Sequence, residues 1–130
     1  MKLLLDTHAL LWWLADDEQL GTRARELIEE PGNDVLVSVV SLWEIVVKVR
    51  VGKLEASIED VATAVQRDGF ALLDIGVAHL RRAIDLPMHH RDPFDHLLIA
   101  QAAVEGATFV SEDRHIPKYP VRFITCSDAV

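Results

Sequence analysis

Cysteine is nearly missing from this chain of 130 residues, which holds one, Cys126. A lone cysteine excludes an internal disulfide framework and a cysteine-built zinc cage, and it fits a reducing compartment. Long apolar runs are missing too. No stretch approaches the roughly 20 uninterrupted apolar residues of a membrane span. The segment after Met1-Lys2 is broken at once by Asp6. That start lacks the pattern of a secretory signal, so a cytoplasmic protein with no membrane partner is expected. Repeats, linkers and low-complexity segments are lacking as well. Positive charge is scarce: thirteen Lys and Arg stand against twenty-one Asp and Glu, a net charge of −8. Such a balance argues against a partner gripped through broad phosphate contacts, which need basic faces. It leaves open a nucleic acid held through bound metal ions.

Half of the residues are hydrophobic, enough for a core, and the length suits one domain over residues 1–130. Short apolar runs at Lys2 to Leu5, Val35 to Ser38, Ala71 to Leu73, Thr108 to Val110 and Val121 to Ile124 read as strands. Helical patterns separate them. Thr7 to Ala15 is one, and Leu20, Ala24, Leu27 and Ile28 share the face of a second, which Pro31-Gly32-Asn33-Asp34 ends. Val39 to about Val51 is a third. Ser57-x-x-Asp60 resembles a capping box ahead of the stripe Ile58, Val61, Ala62 and Val65. Val77 to Asp85 is stopped by Pro87. Asp92 as cap, Pro93 at the first position and Gly106 past the end delimit a strong last helix. Alternating strands and helices predict an α/β fold with a mainly parallel sheet covered on both faces. In such sheets the ligand crevice lies beyond the carboxyl ends of the strands.

Acids collect there. Asp6 follows the first strand directly, and Asp113 lies three residues past the fourth. Glu44 and Asp95 sit near the starts of helices that open at the same edge. Acids brought together repel unless a cation sits among them. Carboxylate oxygens without a His or Cys partner suit a hard ion, Mg²⁺ or Mn²⁺. Such an ion supports hydrolysis of phosphodiester bonds.

Each acid has a plainer reading. Asp6 can cap the following helix, and Glu44 can pair with Lys48 at i, i+4. The helix around Glu44 favours function, because Val39, Val40, Leu42, Trp43, Ile45, Val46, Val47 and Val49 cover almost its whole circumference. A helix this apolar is expected to be mostly buried, with the polar stripe Ser41, Glu44 and Lys48 turned to a cleft or a partner. Asp92 reads mainly as the cap of its helix, with a supporting role at the site in second place. Asp95 can complete a capping box, favour the helix dipole or bind metal. Glu112 competes with Asp113, and spacing does not choose between them. Ser111 either orients a ligand or makes a local backbone bond.

The motifs together resemble the PIN-domain ribonucleases, in particular the VapC-type toxins of toxin–antitoxin pairs. The resemblance covers nearly the whole chain. It rests on Leu5-Asp6-Thr7-His8-Ala9-Leu10-Leu11-Trp12 and Ser38-Val39-Val40-Ser41-Leu42-Trp43-Glu44-Ile45, and most specifically on Arg91-Asp92-Pro93-Phe94-Asp95-His96-Leu97-Leu98-Ile99-Ala100-Gln101-Ala102, followed by Val110-Ser111-Glu112-Asp113. It implies a three-layer α/β/α sandwich and metal-dependent endonuclease action on RNA. Asp6, Glu44, Asp95 and Asp113 would surround Mg²⁺ or Mn²⁺, the fourth acid being the most variable feature of the pattern. A cognate antitoxin and a homodimer are implied as partners.

Around the acids, His89, His90, Arg91, Arg114, His115 and Lys118 either grip RNA phosphates or form a solvated loop. The adjacent His89-His90 pair lacks the i, i+4 spacing of a helical zinc site. In the first helix Trp12 and Trp13 are neighbours; exposure of one would mark a protein-binding groove, and the alternative is a wide core face. Two rivals remain. A haloacid-dehalogenase phosphatase needs an acid two residues after its first aspartate, where this chain has His8. A non-catalytic α/β binding module would keep the fold without metal dependence.

Overall fold

The structure, a computed structural model, describes residues 1–90 and 92–127; Arg91, one of the basic residues above, lies outside them. In chain order the elements are β1 (Lys2–Leu5), α1 (Thr7–Leu14), α2 (Thr22–Glu29), β2 (Asp34–Ser38), α3 (Val39–Arg50) and α4 (Ile58–Arg67), then β3 (Ala71–Leu73), α5 (Val77–Ile84), α6 (Pro93–Glu105), β4 (Thr108–Val110), a 3-10 turn (Ile116–Lys118) and β5 (Phe123–Ile124). The five strands form one sheet in the order β3-β2-β1-β4-β5, and every neighbouring pair is parallel. This is the predicted parallel α/β sheet.

The centre of the sheet is built by three leucines. Leu3, Leu4 and Leu5 are completely buried, and their alternation sends them to opposite faces. Leu3 and Leu5 pack with Val35 and Val37 against Leu10, Ala24, Ile28, Val61 and Val65, so α1, α2 and α4 cover one face. Leu4 packs with Phe109 against Leu98, Ile99 and Ala102 of α6 on the other. The result is a three-layer sandwich. Each fully buried leucine stabilises by roughly 1.5–3 kcal/mol, more than the about 1 kcal/mol of a typical cap, so burial sets the layers and caps trim the ends.

Those trims follow the sequence. The Ser57 hydroxyl accepts the Asp60 N–H at 3.3 Å, half of the predicted capping box. Gly106 ends α6 in the left-handed conformation (φ 65°), which costs a glycine least. β5 is shorter than expected: Val121 and Arg122 precede the strand, although the Arg122 carbonyl still accepts the Phe109 N–H at 2.8 Å.

The structure decides the faces of two helices. α3 is not wrapped in core. Its polar Ser41 and Glu44 are buried, while Trp43 is 54% exposed and Val49 is exposed as well. The polar stripe does face a cleft, Val40 and Ile45 are buried in the core, and Trp43 and Val49 face outward. In α1 neither tryptophan is exposed. Trp13 packs on Phe70 and donates its indole N–H to Asp68 at 2.9 Å, and Trp12 is half-buried. That helix therefore has the wide packed face, and the exposed tryptophan is Trp43.

Candidate active site

β1 and β4 are neighbours in register, with Leu5 opposite Val110, so the residues that follow both strands emerge side by side. The Asp6 N–H continues the pairing to the Val110 carbonyl at 3.0 Å. Beyond this edge lies a cavity of ≈ 350 Å³ lined by Asp6, Thr7, His8, Trp12, Glu44, Lys48, Asp92, Asp95, Glu112 and Asp113. Thus the four acids singled out in the sequence border one space, with Asp92 and Glu112 beside them. Ser111 lies behind the wall, buried.

The plain and the functional readings of the acids coexist. Asp6 caps α1, accepting the Ala9 N–H at 2.7 Å, and is also bonded by the Ser111 hydroxyl. Burial pushes its pKa up from 3.8 to about 6, against these lowering bonds, with Glu44 adding to the rise. Glu44 pairs with Lys48 at 2.8 Å and accepts from the Thr7 hydroxyl at 2.6 Å. That hydroxyl lies 3.1 Å from Ser41, which explains why the polar stripe of α3 turns inward. Asp92 caps α6 through the N–H groups of Phe94 and Asp95, at 2.9 and 3.2 Å.

Asp95 turns to the cavity instead of back to the cap. Its carboxylate meets Asp113 and the His90 ring, whose Nε2 lies 3.3 Å from Asp95 Oδ2. Burial raises the Asp95 pKa strongly, and the negative charges of Asp92, Asp6 and Asp113 raise it further. Asp113 moves the other way. Burial pushes it up, but the His115 N–H at 2.7 Å, the bond from Asp95 and the nearby histidines outweigh that. One proton shared between the two carboxyl groups accounts for both directions. Glu112 is exposed and accepts the Ser127 N–H at 3.3 Å, so the acid beside Asp95 is Asp113.

Sequence reasoning missed His90. The acids were expected to stand without nitrogen partners, yet its Nε2 joins Asp95 and Asp113, the three ligand atoms lying within 4.8 Å of one another. The His89-His90 pair splits: His89 packs edge-on against Tyr119 and His90 faces the acids. Burial holds the His90 pKa below its usual value, against the pull of Asp113. Trp12 and His8 were not placed at the site by the sequence either. Their rings stack at 5.7 Å on the cavity wall, an i, i+4 pair that helical spacing does make visible. Arg114 and Lys118 are exposed, and Lys48 is the lysine of the cavity wall.

The family model described as PIN domain matches residues 3–121. Ribonuclease VapC22 of Mycobacterium tuberculosis (strain ATCC 25618 / H37Rv) is 27% identical over 116 residues, 87% of this chain and 88% of that protein. Among solved structures, VapBC2 from Rickettsia felis bound to a promoter DNA fragment matches with a TM-score of 0.72 at 16% identity, covering 96% of this chain and 98% of that one. DNA-bound VapBC from Salmonella typhimurium matches with a TM-score of 0.69, again at 16% identity and the same coverage.

Proposed function

From the premise that this chain belongs to the PIN domain family, we propose that it is a metal-dependent endoribonuclease and the toxin of a toxin–antitoxin pair, acting in the cytoplasm. The observation that carries the reading is the meeting of Asp6, Glu44, Asp95 and Asp113 around one cavity at the strand ends. The ribonuclease relative supports the substrate class, and the fold shared with VapBC toxins supports the partner class. The phosphatase alternative has His8 where it needs an acid.

The donor set fits a divalent cation. Acceptors face acceptors, and burial and like charge raise both Asp6 and Asp95, a cost that a bound cation would offset. Asp6 and Asp95 would be the firmest ligands, Glu44 would be a ligand or an acceptor for a metal-bound water, and Asp113 would hold the ion through water or complete a second site. Bound Mg²⁺ or Mn²⁺ supplies charge stabilisation at the phosphoryl oxygens and activates water. The chain's own residues do the rest. Ser111 and the Ala9 N–H fix the Asp6 carboxylate, and Thr7 fixes that of Glu44. Lys48, paired with Glu44, puts one positive charge on the cavity wall for a substrate phosphate. Trp12 with His8 offers a stacking surface to an unpaired base.

Partners follow from surface and charge. α5 presents Val77, Leu80 and Ile84, 62%, 51% and 85% exposed, at the spacing of one helical stripe, and a second copy of the chain is the proposed cover. The net charge of −8 suits a basic antitoxin segment with an arginine reaching the carboxylates. The deciding experiment is cleavage of an RNA panel with Mn²⁺ or Mg²⁺ by the chain and by Asp95→Asn purified identically. Metal-dependent cleavage that falls by roughly 10²-fold or more in the variant supports the reading; equal cleavage by both preparations overturns the site, and no cleavage by either favours the binding module.

A further inference from the structure

His90 lies just ahead of α6, and its imidazole is held over the acids from several sides. Nε2 stands 3.3 Å from Asp95 Oδ2 and 3.8 Å from Asp113 Oδ2. Behind it, Nδ1 lies 2.7 Å from the Tyr119 hydroxyl. The ring stacks on His115 at 5.0 Å with planes 15° apart, and meets His96 edge-on at 4.9 Å. A side chain 11% exposed and packed this way has little freedom to turn.

The Tyr119 hydroxyl joins two imidazoles and two backbone N–H groups. A phenol offers two acceptor sites and one proton. One acceptor site takes the His89 backbone N–H at 3.0 Å, which the His90 N–H shares at 3.3 Å. The hydroxyl also lies 2.7 Å from His90 Nδ1 and 3.1 Å from His96 Nε2, and its single proton serves only one of the two rings. When that proton goes to His96, the phenol oxygen accepts His90 Nδ1–H and Nε2 carries a lone pair toward Asp95 and Asp113. An imidazole whose other nitrogen donates to a fixed oxygen is the usual arrangement of a metal-binding histidine.

We propose that His90 Nε2 is a nitrogen ligand of the metal centre beside Asp95 and Asp113, and that it sets the ion preference toward Mn²⁺ over Mg²⁺. The chemistry behind the preference is general: Mg²⁺ takes oxygen ligands and keeps its waters, whereas imidazole binds first-row transition ions well. The proposal rests on the nuclease reading for the presence of an ion and adds which atom selects it.

The test is calorimetric titration of the full chain with MnCl₂ and with MgCl₂, for the wild type, His90→Ala and Tyr119→Phe, with electron spin-echo spectra of the Mn²⁺-loaded samples. His90→Ala is expected to weaken Mn²⁺ about tenfold or more and Mg²⁺ no more than twofold, and to remove the ¹⁴N modulation present in the wild type. Tyr119→Phe keeps the ring while freeing its tautomer, and is expected to weaken Mn²⁺ by a smaller factor with no change for Mg²⁺. Equal loss of both ions, or unchanged nitrogen modulation in His90→Ala, overturns the assignment and leaves the nuclease reading intact. Failure of the wild type to bind either ion overturns both.

Discussion

Two buried polar clusters share α6, and they are built on opposite terms. In its second half Gln101 is completely buried, and its amide is matched on both sides. Oε1 accepts from the Ser38 hydroxyl at 2.5 Å, while Nε2 donates to the Asp74 carbonyl at 3.2 Å and lies 3.4 Å from His79 Nδ1. Because Nδ1 also accepts the Gly76 N–H at 2.8 Å, the proton of His79 sits on Nε2 and goes to Glu105 at 2.9 Å. Donors meet acceptors throughout. At the first turn of the same helix Asp95 faces Asp6, Asp92 and Asp113, acceptors against acceptors. The first cluster ties β2, α5 and α6 together and asks for nothing more. The second gathers like charges that a cation would balance on the proposed reading, and the difference separates polarity that builds the fold from polarity left for a ligand.

The largest effect expected on this contrast is at the matched cluster. Gln101→Ala leaves the Ser38 hydroxyl and the buried wall around it unsatisfied, and should destabilise the chain by about 2–3 kcal/mol. Thermal denaturation measures the loss, and calorimetry should find divalent-metal affinity within twofold of the wild type. A large loss of metal binding would show that the two clusters are coupled through α6 and break the comparison.

At the acid cluster the effect has the reverse sign. Folded Asp6 keeps its proton to about pH 6, against 3.8 without its surroundings. Folding therefore retains a proton over that interval, and the stability it contributes is complete below about pH 3.8 and lost as the pH rises through about 6. Asp6→Asn, which still caps α1, should be more stable than the wild type in EDTA at pH 7.5, by on the order of 1–3 kcal/mol. The gap should close toward pH 4, as melting curves at several pH values would record. Saturating Mn²⁺ should invert the order, since the ion binds the ionised wild-type site. A pH-independent gap would mean that Asp6 acts through packing and not through its charge.

The smallest effect concerns the cavity wall. Trp12→Ala should weaken binding of a labelled single-stranded oligoribonucleotide by about tenfold, the scale of one lost base stack, with Trp12→Phe retaining most of the affinity. Polarisation measured on an Asp95→Asn background avoids cleavage of the probe. An unchanged affinity would place the base elsewhere.

The layers were legible because their causes are local. The apolar triplet Leu3-Leu4-Leu5 reads as a strand buried on both faces, and Asp92-Pro93 with Gly106 marks both ends of α6 from three residues alone. The acids were legible as a set because strand ends converge in any parallel sheet. α3 was legible in part: its polar stripe faces a cleft as expected, where Thr7 bonds Glu44 and Ser41, but the exposure of Trp43 and Val49 depends on packing. His90 was passed over for a similar reason: adjacency to His89 hides that two neighbouring side chains can point to different places.

By itself, then, the sequence determined the order of strands and helices, the main caps and a short list of candidate acids, because propensity, periodicity and capping act over a few residues. The tertiary structure decided which side chains meet. Thr7 reaches Glu44 across 37 positions and Ser38 reaches Gln101 across 63. Protonation is decided there too, since burial and neighbouring charge, not residue type, raise Asp6 and Asp95 while Asp113 stays low.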